Sequence, residues 1–110
     1  MRSKDLTVSI LLDAYGLLLT ERQRELVDLY YNEDLSLAEI AAEVGISRQG
    51  VRDSIKKAEE ELFFLEENLH LHERTLKIAE ISERLRQLPL SDEAREAVQE
   101  LIKAAESTSN

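Results

Sequence analysis

SLAEIAAEVGISRQGVRDSIKK, residues Ser36 to Lys57, is the stretch that decides the fold. Ser36 is a good helix N-cap, and Glu39 stands where its carboxylate can reach back to the cap amide. A helix is therefore expected over 37–44. Leu37, Ile40, Ala41 and Val44 follow i, i+3, i+4, i+7 spacing and form one apolar stripe facing a small core. Gly45 ends that helix, because glycine takes the left-handed conformation without a Cβ penalty. Ser47 then caps a second helix beginning at Arg48, and Ile46 is placed to pack inward at the corner. On this second helix Val51, Ile55 and Ala58 point to the core, which leaves Arg48, Gln49, Arg52, Asp53 and Lys56 on the solvated side. Helix, short glycine turn and helix make a helix-turn-helix unit whose second helix is of the recognition type.

The outward residues have a definite chemistry. Arginine and glutamine form bidentate hydrogen bonds with base edges, while Ser47, Arg48, Lys56 and Lys57 suit phosphates. Ser36 to Lys57 holds four bases and three acids, against four and seven in residues 1–35 and six and thirteen in residues 58–110. Nucleic-acid affinity comes largely from neutralised phosphates, so a net charge of −9 confines any such contact to this segment. A helical scaffold whose second helix touches protein fits the same residues.

With 110 residues the chain has room for one helix-turn-helix domain over residues 1–57 and a helical arm over 58–110. Three glycines, one proline and 34% charged residues describe a helix former, and the expected class is all-α. The absence of cysteine excludes disulfide and thiolate chemistry and fits a reducing cytoplasm. Val8 to Leu19, the longest apolar stretch, contains Asp13 and Gly16 and is too short to cross a bilayer, so no membrane insertion is expected. It reads as a core helix from Lys4 to about Leu18, with Leu6, Ile10, Ala14 and Leu17 on one face and Leu11 and Leu18 beside it. Thr20 caps the next helix, whose stripe is Leu26, Leu29 and Tyr30 with Val27 alongside, and which stops at Asn32 to Asp34. Tyr30 and Tyr31 read as a packed ring and a rim ring.

Beyond Gly50 nothing stops the helix begun at Arg48 until Pro89, and about 40 unbroken residues would span roughly 60 Å. Asn68 to His72 is where a kink would fall. Val51, Ala58, Leu65 and His72 recur at seven residues, as do Ile55, Leu62, Leu69 and Leu76, which is the spacing of a coiled-coil seam ending near Leu76. A homodimer through Leu62, Leu65, Leu69 and Leu76 is therefore expected, with Phe63, Phe64, Leu71, Ile78, Ile81 and Leu85 lying off the seam. Ser91 caps a last helix, Asp92 to Ala105, striped by Ala94, Val98, Leu101, Ile102 and Ala105, which the short Pro89 turn folds back as a hairpin. Ser107 to Asn110 reads as a frayed tail.

No glycine-rich phosphate loop, metal-ligand cluster or activated nucleophile can be picked out, so no catalytic residue, metal or cofactor is expected. His70 and His72 stand two apart and point to different sides of a helix, unlike an i, i+4 chelating pair. Glu59 to Glu61 with Glu66 and Glu67 read as a solvated face that could also repel stray phosphates.

Leu19 to Lys57 resembles the YlxM family of small bacterial helix-turn-helix proteins, which are themselves similar to the fourth region of sigma factors. The matching pieces are LTERQ at Leu19 to Gln23, LYY at Leu29 to Tyr31, EDLSLAEIA at Glu33 to Ala41, and SRQGV at Ser47 to Val51. DSIKK at Asp53 to Lys57 and the glutamate-rich helix after it also fit, while residues 58–110 match in character more than in letters. The resemblance implies a sigma region 4-like bundle with a long helical arm. It further implies a cytoplasmic, non-enzymatic regulator acting with the signal recognition particle, its RNA or its receptor. Arg52 departs from the tyrosine that such proteins often carry there, which adds a cation to the exposed face. A DNA-binding transcription regulator and a protein adaptor using the arm are the alternatives.

Overall fold

The computed structural model describes residues 5–107, and all regular structure among them is helical. The elements are α1 (Leu6–Tyr15), a 3₁₀ turn (Gly16–Leu18), α2 (Glu21–Tyr31), α3 (Leu37–Val44), α4 (Arg48–Leu69), α5 (Leu71–Arg86) and α6 (Asp92–Ser107). The chain divides into two compact units, the first ending at Leu69 and the second starting at His70. The boundary lies beyond residue 57 because the second half of α4 belongs to the first unit's core.

In the first unit α4 is the common wall. Ala58 and Leu62 join Val8, Leu11, Leu12, Tyr15, Leu19 and Val27 in one apolar cluster. Val51 and Ile55 join Leu26, Tyr30 and Ile40 in another. Two tyrosine hydroxyls clamp the outer helices to α4. Tyr15 of α1 donates to Glu66 Oε1 at 2.6 Å, and Tyr31 of α2 donates to Glu59 Oε2. Glu59 and Glu66 are thus half-buried acceptors, whereas Glu60, Glu61 and Glu67 stay solvated as expected for the whole run. Tyr30 is buried and Tyr31 sits at the rim, its ring meeting Tyr30 edge-on at 5.1 Å.

The expected phase of α1 is overturned. Val8, Leu11, Leu12 and Tyr15 face inward, while Leu6 and Leu17 are 76% and 81% exposed and Leu18 is also exposed. An almost unbroken aliphatic run carries little periodicity, and the buried side is the one that packs on Val27, Ala58 and Leu62, where the Tyr15 hydroxyl finds its partner in Glu66. The helix starts at Leu6 on an Asp5 cap that accepts from the Thr7 amide; the expected start, Lys4, lies outside the described residues. Past Tyr15 the 3₁₀ turn carries Leu17 and Leu18 outward before Leu19 returns to the core.

The helix begun at Arg48 does not run unbroken to Pro89: it breaks at His70, inside the Asn68 to His72 segment where a kink was expected. His70 takes a left-handed backbone (φ 56, ψ 30) and separates α4 from α5. Its Nδ1 lies 3.0 Å from Glu73 Oε2 in the first turn of α5, and Asn68 donates to the Phe64 carbonyl in the last turn of α4. The seam changes accordingly. Leu62 is fully buried inside its own chain and Leu65 packs on the same cluster, so neither is available to a second copy. Leu69 and Leu76 remain exposed, on opposite sides of the break.

The second unit is a helical hairpin. Gln87 and Leu88 donate to the Arg84 and Leu85 carbonyls to close α5, and Ser91 Oγ accepts from the Ala94 amide to open α6. Ala94, Val98, Ile102 and Ala105 are half-buried, together with Leu85, and Leu101 falls outside that stripe. Ser82 is the one side chain of this unit counted as buried among the described residues.

Two stability effects follow. Leu62→Ala should cost about 2–5 kcal/mol, by lost burial plus a cavity. Because its neighbours are intramolecular, urea denaturation should show the same loss at low and high protein concentration. Gly45 has φ 77 with nothing within 4 Å of a built Cβ, so Gly45→Ala should cost about 1–2 kcal/mol from backbone conformation alone.

Candidate nucleic-acid interface

Local chemistry fixes where the helices around the glycine turn begin and end. Ser36 Oγ accepts from the Glu39 amide at 3.1 Å, and Glu39 Oε1 accepts from the Ser36 amide at 2.9 Å. The same reciprocal box joins Thr20 and Gln23 at the start of α2. Gly45 closes α3 in the left-handed region, its amide donating to the Ala41 carbonyl at 3.0 Å. Ser47 Oγ accepts from the Gly50 amide at 2.9 Å, and a Cβ on residue 50 would come within 3.0 Å of that oxygen. Glycine at this position therefore leaves the cap undisturbed. Ile46 does not turn inward as expected and is more than a third exposed.

With Val51, Ile55 and Ala58 buried, Arg48, Gln49, Arg52, Asp53, Lys56 and Lys57 are all exposed on the first three turns of α4. Arg48, Arg52 and Lys56 succeed one another at four residues, so they form a line with about 6 Å between steps. Among the described residues no ion pair engages these three cations or Lys57. Gln49 differs: its Nε2 donates to Asp53 Oδ1 at 2.9 Å, so one of its two amide N–H groups is already in use. Ser47 belongs to the site by position, and its hydroxyl oxygen serves first as a helix cap.

Beyond Lys57 the surface changes character. Leu18, Thr20, Gln23, Lys57, Glu60, Glu61 and Phe64 line a shallow groove where α4 passes the start of α2. Phe64 is exposed there, and the glutamates replace the cations of the preceding turns. The roles of Glu59 and Glu66 were not recognised from sequence, although their seven-residue spacing and the need of tyrosine hydroxyls for partners were the available signals.

Among the described residues no group of three or more His, Cys, Asp or Glu is placed to hold a metal ion. No helix in that range is long and apolar enough to cross a membrane.

The sequence is similar to a family of known proteins. Residues 2–106 match the family described as "Putative helix-turn-helix protein, YlxM / p13 like". A UPF0122 protein of Shouchella clausii is 42% identical over 102 residues, covering 93% of this chain and 94% of its own. A UPF0122 protein of Clostridium kluyveri is 55% identical over 73 residues, which span 66% of each chain, just under two thirds of that relative. One from Desulforamulus reducens is 52% identical over 64 residues, or 58% of this chain and 55% of that one. The chain belongs to the UPF0122 family of YlxM/p13-like helix-turn-helix proteins.

Proposed function

We propose that this protein is a cytoplasmic, non-enzymatic regulator that binds nucleic acid through the outward face of the first three turns of α4, and that its ligand is the RNA of the signal recognition particle. The observation that supports binding is the line of Arg48, Arg52 and Lys56, with Lys57 beside it, unengaged by acids among the described residues of a chain of net charge −9. In so acidic a protein, cations kept out of internal ion pairs are the groups able to neutralise phosphates. The patch is short, because Glu60, Glu61 and Glu67 follow on the same helix and repel a backbone running farther along it. A local feature of a folded RNA suits such a patch better than a long duplex groove. The likeness to the YlxM proteins directs the choice to the signal recognition particle.

A DNA-binding regulator is the second reading, favoured by the helix-turn-helix itself, whose second helix has the form that enters a major groove. Fluorescence anisotropy with labelled particle RNA, competed by duplex DNA across a salt series, separates the two. The expected result is saturable RNA binding that resists DNA. With four cations engaged, log affinity should fall with log salt at a slope of roughly −3 to −4. Preference for the duplex would replace the first reading by the second, and no binding to either at low salt would remove both.

Arg48→Glu with Arg52→Glu should weaken binding at least about 100-fold while leaving the helical circular dichroism unchanged, since both side chains are exposed. Ser47→Ala should cost about 1 kcal/mol of stability through the lost cap. Ser47→Asp should keep the cap and the stability, yet weaken binding by placing an acid where phosphate sits. Undiminished binding by Ser47→Asp would remove Ser47 from the interface.

A further inference from the structure

We infer that the α5–α6 hairpin pairs with the same hairpin of a second copy, giving a four-helix bundle in which α5 of each chain lies against α6 of the other. Between His70 and Asn110 there is no cysteine, and no large side chain is fully buried among the described residues of this unit. A hairpin that buries so little apolar surface is completed by a partner chain that covers its open side.

The hairpin has one apolar open side. With successive residues turning by about 100°, Ile81 lies at the edge of the α5 face that meets α6, next to Ile78, with Arg74 two turns before it in the same column. Leu101, flanked by Ala97 and Ala104, lies at the corresponding edge of α6. Because the two helices run in opposite directions, both strips come out on the same side of the hairpin. Ile81 is 41% and Leu101 63% exposed. Leu76, 58% exposed, lies on the other side among Glu83 and Arg86.

Charge identifies the occupant. Lys77 and Arg84 border the open side on α5, and Glu93 and Glu100 border it on α6. Lys77 and Glu100 are equally far from the hairpin turn, and so are Arg84 and Glu93. A two-fold axis along the helices sets α5 over the partner's α6 at unchanged height, so both pairs meet between chains. A two-fold axis across the helices would set α5 over α5 and α6 over α6, with like charges along both rims. The first arrangement resembles the antiparallel neighbours of ordinary four-helix bundles. It also has both chains entering the bundle at one end, where each α5 begins. Leu62 and Leu65 take no part in this pairing, and neither does Leu76. The inference does not depend on which ligand α4 binds.

Light scattering over the micromolar range tests it. The mass should be twice the chain mass of 12.6 kDa. Ile81→Glu and Leu101→Glu should each return it to one chain, and Leu76→Glu should leave the dimer intact. Lys77→Glu with Arg84→Glu should be monomeric, as should Glu93→Lys with Glu100→Lys, and an equimolar mixture of the two should recover the two-chain mass. These four positions are on outer rims, so the charge-swapped pair reports association without placing a charge among apolar side chains. A one-chain mass for the parent at every concentration would overturn the pairing and leave the open side to another occupant. Splitting by Leu76→Glu alone, or failure of the charge-swapped mixture to associate, would overturn this geometry.

Discussion

Burial of Val51, Ile55, Ala58 and Leu62 along one side of α4 is the constraint on which the first unit depends. These four positions alternate at three and four residues and supply the back wall of both apolar clusters. α2 contributes to both clusters as well, through Val27 in one and Leu26 and Tyr30 in the other, and α4 packs against each of the other three helices of the unit. The same burial determines what remains outside. Once that side is spent, the helix presents Arg48, Gln49, Arg52, Asp53, Lys56 and Lys57 over its first turns, and glutamates with Phe63 and Phe64 afterwards. Core and interface are therefore two sides of one periodic pattern.

The helix-turn-helix was readable because each of its boundaries is a local chemical event. Ser36 with Glu39, Gly45, and Ser47 act through hydrogen bonds or backbone conformation within four residues, and such signals survive in a bare sequence. The outward set on α4 was readable for a related reason: the inward residues are aliphatic and spaced as a helix demands. Arrangements that depend on distant partners were not legible. The side of α1 that faces inward is covered by Ala58 and Leu62 and bonded through Tyr15 to Glu66, fifty-one residues away. The leucines at seven-residue spacing looked like an intermolecular seam, since a core face and a coiled-coil seam share a period, and only the folded chain shows that Leu62 is already used. The break at His70 falls in the Asn68 to His72 segment where a kink was expected, although no glycine announces its left-handed backbone.

Charge is distributed by turn more than by unit. The first turns of α4 are cationic, its second half is acidic, and the two helices of the hairpin carry opposite rims. Such segregation along single helices is inexpensive, because exposed charges contribute little to stability. It nonetheless limits where phosphates and partner helices can settle, since repulsion from a misplaced acid adds to the loss of a favourable contact.

The clamp between Tyr15 and Glu66 also bears on how the chain is made. Synthesis proceeds from the N-terminus, so the apolar side of α1 emerges early, while Ala58, Leu62 and Glu66, which cover it, come last in the first unit. Until then α2 is the only wall available to it. The first cluster thus cannot close in the order in which it is translated, and the most apolar helix of the protein waits uncovered for the greater part of the unit's synthesis.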